Sequence, residues 1–357
     1  MTRSPVLFRV DADPANGYGS FYRCLVFAAA LQRRRRTAWF LANIEPNHLV
    51  MGLKKGGNEW IAQNLVPGSK QDAENTIAQA RAKGCLAVVI DLPQAETAYF
   101  EALDKAGILV ICIDHRARAK FPKGMIVNPL AGPSRVDYSH HPKAQLLLGE
   151  RYAIVRPELR RARPLRAQEP VTDFRIMVAL GDHDKNRQTV GIVKTLLSST
   201  RLAKIDVAIR NWHPDLQELE DLAVEHKDRL GIALESADVG HRIIRCHLAI
   251  TSGDQWSLEF AMVGVPQLIL VQDEEYWPCA KRLEEEGVAS ILGSAETISP
   301  NTIKGAVADL LANPQERQSM TRCGRNLVDG RGPDRLVLAL EVMLQPWLKT
   351  VGESVAA

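Results

Sequence analysis

The same local pattern opens both halves of this chain, and it narrows the fold more than any other feature. Val6 to Val10 is a short apolar run, followed by the loop Asp11 to Gly19 and the amphipathic stretch Ser20 to Arg33. Phe174 to Leu180 starts the pattern again, with the polar loop Gly181 to Asn186 and a helical stretch from Arg187 to Leu197. Strand, tight loop and helix in that order point to an α/β fold with parallel sheets covered by helices.

The rest of each half keeps the alternation. Strands are expected at Thr37 to Leu41, Leu86 to Asp91, Ile108 to Asp114 and Met125 to Asn128, with helices at Ala73 to Lys83 and Thr97 to Ala106. The second half gives strands at Ile205 to Ile209, Gly231 to Leu234, Leu248 to Thr251, Gln267 to Val271 and Ala289 to Leu292. Helices fit Leu216 to His226, Trp256 to Val263, Pro278 to Glu286, Pro300 to Ala312, Pro314 to Asp329 and Asp334 to Leu344, the last stopped by Pro346.

A length of 357 residues exceeds the usual ~100 to 200 per domain. Residues 158–172 are polar, basic and proline-rich, too much so for a regular element to persist. The expected division is a Rossmann-like domain over 1–157, a linker over 158–172, a second such domain over 173–347 and a tail over 348–357.

Charge and hydropathy exclude several classes. With 45 Lys and Arg against 42 Asp and Glu, nothing marks a polyanion-binding tail, so no nucleic-acid partner is expected. No apolar stretch approaches the roughly 20 residues of a membrane helix, and the N-terminus lacks the apolar segment of a signal peptide. A cytoplasmic protein without a stable membrane anchor is expected, and the oligomeric state is left open. Cys24, Cys85, Cys112, Cys246, Cys279 and Cys323 form no CxxC pair and no zinc-finger spacing, which suits reduced, mostly buried thiols. Neither a cofactor nor an obligatory metal is expected.

The candidate site residues lie on the two repeated loops. Gly17-Tyr18-Gly19-Ser20 joins the first strand to the first helix, where backbone N–H groups suit a phosphate. Glycines there serve a plain turn equally well. The third glycine of a dinucleotide fingerprint and the Gly-Lys-Ser/Thr of a P-loop are both missing. Arg23 is placed to reach back toward an anion, or is a surface arginine. Arg9 and Asp11 bracket the strand end as an ion pair, Arg9 as a ligand contact and Asp11 as a catalytic group, or as a structural pair. In the second half Ser252, Gly253, Asp254 and Gln255 open a helix that carries Glu259. A carboxylate so early in a helix suits the macrodipole, and it can also accept both hydroxyls of a ribose.

On these residues the chain resembles the UDP-sugar hydrolases of pseudaminic acid biosynthesis and the related spore-coat polysaccharide proteins, a GT-B branch near the MurG-type glycosyltransferases. The resemblance spans nearly the whole chain and rests on four segments: Phe8 to Cys24, Gly149 to Leu159, Gly181 to Asn186, and Thr251 to Pro266. The second carries the Tyr152-Ala153-x-x-Arg156-x-Glu158 pattern that closes the family's first domain. The resemblance implies two Rossmann-like domains, the nucleotide held by the second and the sugar facing the first. It implies cleavage of a UDP-linked amino sugar by water, a UDP or UDP-sugar ligand, and no metal. Glu259 matches the ribose-binding position, Gly253 a glycine of the phosphate loop, and Gly17 and Gly19 those of the first loop.

The chain departs from the family in three places. Ser20 stands where the hydrolases carry the histidine that activates water, and a hydroxyl is no general base near neutral pH without a partner. Asp254 and Gln255 replace Gly and Ser in the phosphate loop, and Asp254 brings negative charge toward a pyrophosphate. Glu275-Tyr276 stands in place of the Asn-Gln pair that follows Pro266. His183, on the Gly181 to Asn186 loop, has a suitable intrinsic pKa of about 6.5 and is the substitute base, with Asp182 and Asp184 beside it as further candidates, or it is an exposed loop histidine. Three functions follow: hydrolysis of a UDP-linked amino sugar, transfer of that sugar to an acceptor, or nucleotide-sugar binding without catalysis.

Overall fold

The structure is a computed structural model that describes residues 3–355 except 171, 182, 183, 185, 200 and 235. It divides into two compact units: residues 1–129, 133–154 and 331–357 form the first, and 130–132 with 155–330 form the second.

The first unit contains β1 (Val6–Val10), β2 (Ala38–Ala42), β3 (Glu59–Ala62), β4 (Ala87–Asp91), β5 (Leu109–Ile113), β6 (Lys120–Phe121), β7 (Gly124–Asn128), β8 (Ser139–His140) and β9 (Gln145–Leu148). Its helices α1 (Gly19–Gln32), α2 (His48–Lys55), α3 (Lys70–Ala82) and α4 (Thr97–Lys105) connect them. Seven strands make one parallel sheet in the order β3-β2-β1-β4-β5-β7-β9, and β6 pairs with β8 separately. Every residue of β1, β4, β5 and β7 is buried, the signature of strands covered on both faces.

Two of those buried residues are charged, Arg9 of β1 and Asp91 of β4. Arg9 is 0 % exposed, and its guanidinium donates to Asp11 at 2.5 and 3.0 Å and to Asp72 at 2.8 Å. Asp72 also accepts from the Gln63 amide and the Gly68 N–H, both at 2.9 Å, and Asp11 accepts from the Asn43 N–H at 2.8 Å. Burial by itself would lower the Arg9 pKa, but the hydrogen bonds and charges of Asp72 and Asp11 override it and hold the guanidinium firmly protonated. The pair expected at a cleft edge is therefore a structural clasp between β1 and α3.

The second unit contains α5 (Pro157–Ala162), β10 (Phe174–Ala179), α6 (Gln188–Leu197), β11 (Leu202–Ala208), α7 (Leu216–Glu225), β12 (Leu230–Ala233), α8 (Ser236–Arg245), β13 (Leu248–Thr251), α9 (Gln255–Val263), β14 (Gln267–Val271), α10 (Trp277–Glu285), β15 (Ala289–Ser294), α11 (Pro300–Ala312) and α12 (Pro314–Leu327). Its parallel sheet runs β12-β11-β10-β13-β14-β15. Phe174, Ile176 and Val178 of β10 pack with Ile205 and Val207 of β11, Ile250 of β13 and residues of α6 and α11 in its main core.

The sequence misplaces two elements. The first is α5, which occupies the expected linker because Pro157 at its start fixes a helical φ at a position that needs no N–H partner. The second is the last helix, α13 (Gly332–Val355), which runs through Pro346 and joins the first unit, packing on α1 and on the 3-10 turn Glu150–Tyr152. A proline deletes one i to i−4 bond and leaves the turns on either side intact.

All six cysteines are free and five are buried; burial pushes the Cys85 and Cys246 thiols up to about 12, beyond thiolate chemistry at neutral pH. Among the described residues no helix is long and apolar enough to cross a membrane.

His247 precedes β13 and accepts the Arg175 N–H on Nδ1 at 2.8 Å, its ring edge-on to Phe174. Burial, with the positive charge of Arg166, lowers its pKa to about 4. An unfolded histidine titrates near 6.5, so between pH 6.5 and 4 the unfolded chain binds more protons than the folded one. Stability is expected to be full above pH 6.5 and to fall as pH drops toward 4, by no more than about 3 kcal/mol from this residue. Urea midpoints at pH 7 and 4.5 measure the loss, and His247→Asn should flatten it; an unchanged slope in the variant rules the residue out.

Candidate functional site

In each sheet the strand order reverses once, between β1 and β4 in the first unit and between β10 and β13 in the second. Loops leaving the carboxyl ends of two such strands diverge to opposite faces and leave a crevice, the usual ligand position in open α/β sheets.

In the second unit that crevice is bounded by the loops after β10 and β13. Gly181, at φ +91°, stands so close to the other loop that a Cβ on it would lie 3.3 Å from Asp254 Oδ2 and 3.9 Å from Ser252 Oγ. Gly253, at φ +82°, packs against Ala280 and Ile269, where a Cβ would come within 3.2 and 3.3 Å. A chain of short bonds fixes this turn: Gly253 N–H donates to Ser257 Oγ (3.0 Å), which donates to Thr251 Oγ1 (2.9 Å), which donates to the side-chain Oε1 of Gln267 (3.0 Å). The glycines are therefore required by backbone shape and close approach.

Two side chains at this edge lack a hydrogen-bond partner among the described residues. Ser252 Oγ, at the carboxyl end of β13, is buried without one, and so are both amide atoms of Gln272, just beyond β14. Glu275 sits half-buried on the 3-10 turn that follows, and Gln255 opens α9. Asp254 is the N-cap of α9, its Oδ1 accepting the Trp256 N–H at 2.9 Å, so its charge is placed at the positive end of the helix dipole.

Glu259, five residues into α9, is engaged by Arg156. Its Oε1 accepts the Arg156 backbone N–H at 3.1 Å and Nε at 2.9 Å, and its Oε2 accepts Nε at 3.0 Å and Nη2 at 2.6 Å. The guanidinium carbons of Arg156 and Arg210 both stand 5.7 Å from the Trp256 ring centroid, within cation–π range. Arg210 and Trp256 carry no motif that would have singled them out; Arg156 was visible only as part of the Tyr152-to-Glu158 pattern.

His183 and Asp182 lie outside the described residues. Their neighbour Asp184 is buried and caps α6, accepting the Gln188 and Thr189 N–H groups at 3.0 and 2.8 Å. The fold brings Asp184 together with His213 and Asp215 from the loop after β11, a spacing open to a metal ion that the sequence did not suggest. The histidine argues against one. Its Nδ1 accepts the Asp215 N–H at 3.1 Å, which leaves the ring proton on Nε2, the atom 3.7 Å from Asp184. The trio reads instead as a clasp between two loops, completed by the ion pair of Arg187 with Asp215.

In the first unit the loop after β1 is braced by Asp13, which accepts the Ala15 and Asn16 N–H groups at 2.9 Å, and Gly17 takes φ +76° to close the turn. Tyr18 is wholly buried, so the side chain expected to touch a ligand is part of the core. Gly19 opens α1 with free space where a Cβ would stand. Arg23 is no idle surface arginine: it pairs with Asp91 at the end of β4 through both Nε and Nη2, and Nη2 also donates to Ser20 Oγ at 3.0 Å. Asp91 ties the end of β4 to α1, and no sequence motif marks it. Ser20 therefore meets a cation, and Asp11 is engaged by Arg9.

No protein-family model matches the chain. It is 26 % identical over 224 residues to the spore coat polysaccharide biosynthesis protein SpsG of Bacillus subtilis (strain 168), an overlap covering 60 % of this chain and 64 % of that protein. Among solved structures, Acinetobacter baumannii MurG superposes with a TM-score of 0.60 at 14 % identity, covering 94 % of this chain and 99 % of MurG. A co-structure of S. aureus MnaA with UDP gives 0.61 at 12 % identity, covering 96 % and 97 %. The chain has the GT-B fold, built of two Rossmann-like units with parallel sheets.

Proposed function

We propose that the chain binds a nucleotide-activated sugar, with the diphosphate at the switch point of the second unit, and acts in glycan biosynthesis by cleaving the bond between sugar and phosphate. The observation that carries this reading is the pair of buried, unpartnered polar groups there, Ser252 Oγ and the Gln272 amide, beside the start of α9. Each such group left unsatisfied costs about 1–3 kcal/mol; diphosphate oxygens would accept from Ser252 Oγ and Gln272 Nε2, and a ligand hydroxyl or N–H would donate to Gln272 Oε1. The UDP held by MnaA and the polysaccharide role in the name of SpsG support the same assignment.

The resemblance favours hydrolysis of a UDP-linked amino sugar to UDP and free sugar, with Gly181, Ser252, Gly253, Gln255 and Glu275 as ligand contacts. Transfer to an acceptor is the same cleavage with another nucleophile. A second reading, binding without turnover, is favoured by Ser20: an arginine donating to the hydroxyl cannot take its proton, and the neighbouring Asp91 is ion-paired.

UDP is expected to raise the Tm of the purified protein, by an amount corresponding to about 2.7 kcal/mol at a hundred times Kd. Gly253→Val, which forces a branched residue into a positive φ against Ala280 and Ile269, should weaken UDP binding at least about tenfold. UDP release from UDP-amino sugars, with and without an acceptor, separates hydrolysis, transfer and mere binding. No thermal shift at millimolar UDP would remove the nucleotide assignment.

A further inference from the structure

We infer that this nucleotide site does not read the ribose 2′-hydroxyl and accepts ribo- and 2′-deoxyribonucleoside diphosphates alike, because the carboxylate that would read it, Glu259, is clamped on both oxygens by Arg156. The inference rests on the nucleotide reading above and narrows its ligand class.

An ionised carboxylate offers about four lone-pair directions. On Glu259 both oxygens are engaged by three donors of Arg156, at 2.6 to 3.1 Å: the backbone N–H on Oε1, Nη2 on Oε2, and the single Nε–H shared between the two. The side chains of Arg156 and Glu259 are 12 % and 8 % exposed, so the pair is largely out of water. Breaking such a pair to admit a diol strands a charge in a poorly solvated place.

Arg156 is not free to step aside. Its own N–H is one of the three donors, and the following Pro157 starts α5, which confines residue 156 to extended backbone, here φ −63° and ψ 123°. Its guanidinium also stands over Trp256, on the same helix as Glu259. Backbone, guanidinium and ring thus hold the carboxylate closed as one unit, and the position matching a ribose reader serves to join α9 to the start of α5.

A charged acceptor on a ribose hydroxyl discriminates against the deoxy analogue by about tenfold or more. The test is titration calorimetry of the full-length protein with UDP and with dUDP. The expected result is two dissociation constants within about threefold. UDP binding at least tenfold tighter than dUDP overturns the inference and leaves the nucleotide reading standing. Failure of both to bind at millimolar concentration removes the nucleotide reading, and the inference with it. Glu259→Gln adds an independent arm: the Tm should fall while the UDP to dUDP ratio stays as in the wild type, whereas a ratio that shifts with the substitution shows that the carboxylate does read the ribose. The wild-type comparison stands alone if the variant does not fold.

Discussion

Replacing Arg9 by methionine is expected to destabilise the first unit by about 3–5 kcal/mol, the range for removing one partner of a buried ion pair. The guanidinium is the shared counter-charge of Asp11 and Asp72, all three buried. Without it two carboxylates face each other in the core. A domain stable by about 5–15 kcal/mol would lose a large part of its margin. Arg9→Lys should rescue little, because one ammonium cannot reproduce a fork that meets Asp11 with two nitrogens and Asp72 with the third. The triple change Arg9→Met, Asp11→Leu, Asp72→Leu should not recover the loss, because the Asn43 and Gly68 N–H groups and the Gln63 amide lose their acceptors. Urea unfolding followed by tryptophan fluorescence measures all three; a loss below 1 kcal/mol for Arg9→Met would show that the clasp contributes little.

Gly332→Ala is expected to cost about 3 kcal/mol or more and to lower the Tm by roughly 6–12 °C. A Cβ there would stand 2.2 Å from the Ala153 carbonyl oxygen and 2.6 Å from the Tyr152 carbonyl carbon. Both are backbone atoms, so no rotamer relieves the overlap, and the start of α13 has to lift from the turn it packs on. Gly19→Ala is the control: its Cβ meets nothing within 4 Å, and the change should stay within about 0.5 kcal/mol. Calorimetric melts of both variants decide the matter, and equal Tm values would show that the close approach carries no cost.

The buried strands were legible because parallel strands covered on both faces become unbroken apolar runs, as in Ala87–Asp91 and Gln267–Val271. Edge strand β3, Glu-Trp-Ile-Ala, was not, since exposure on both faces removes that signal. Helix α8 was hidden by Gly240 in its interior, a residue that local propensity reads as a break and that packing explains, because a Cβ there would touch Leu159 and Arg156 at 3.5 and 3.7 Å. In the site, the glycine turns could be read from sequence, since positive φ selects the residue type directly. Their partners could not: Arg23 meets Asp91 across 68 positions and Arg156 meets Glu259 across 103. Charges so far apart are matched by the fold, and nothing local marks them.

The last helix belongs to the first unit although it follows the second in sequence. Translation therefore delivers every residue of the second unit before the first can be completed. The N-terminal sheet leaves the ribosome early and waits for α13, with the face of α1 that receives it uncovered during that interval. A chain interrupted after Gly330 would leave the later-made unit whole and the earlier-made one open, so proteases should attack its N-terminal half first.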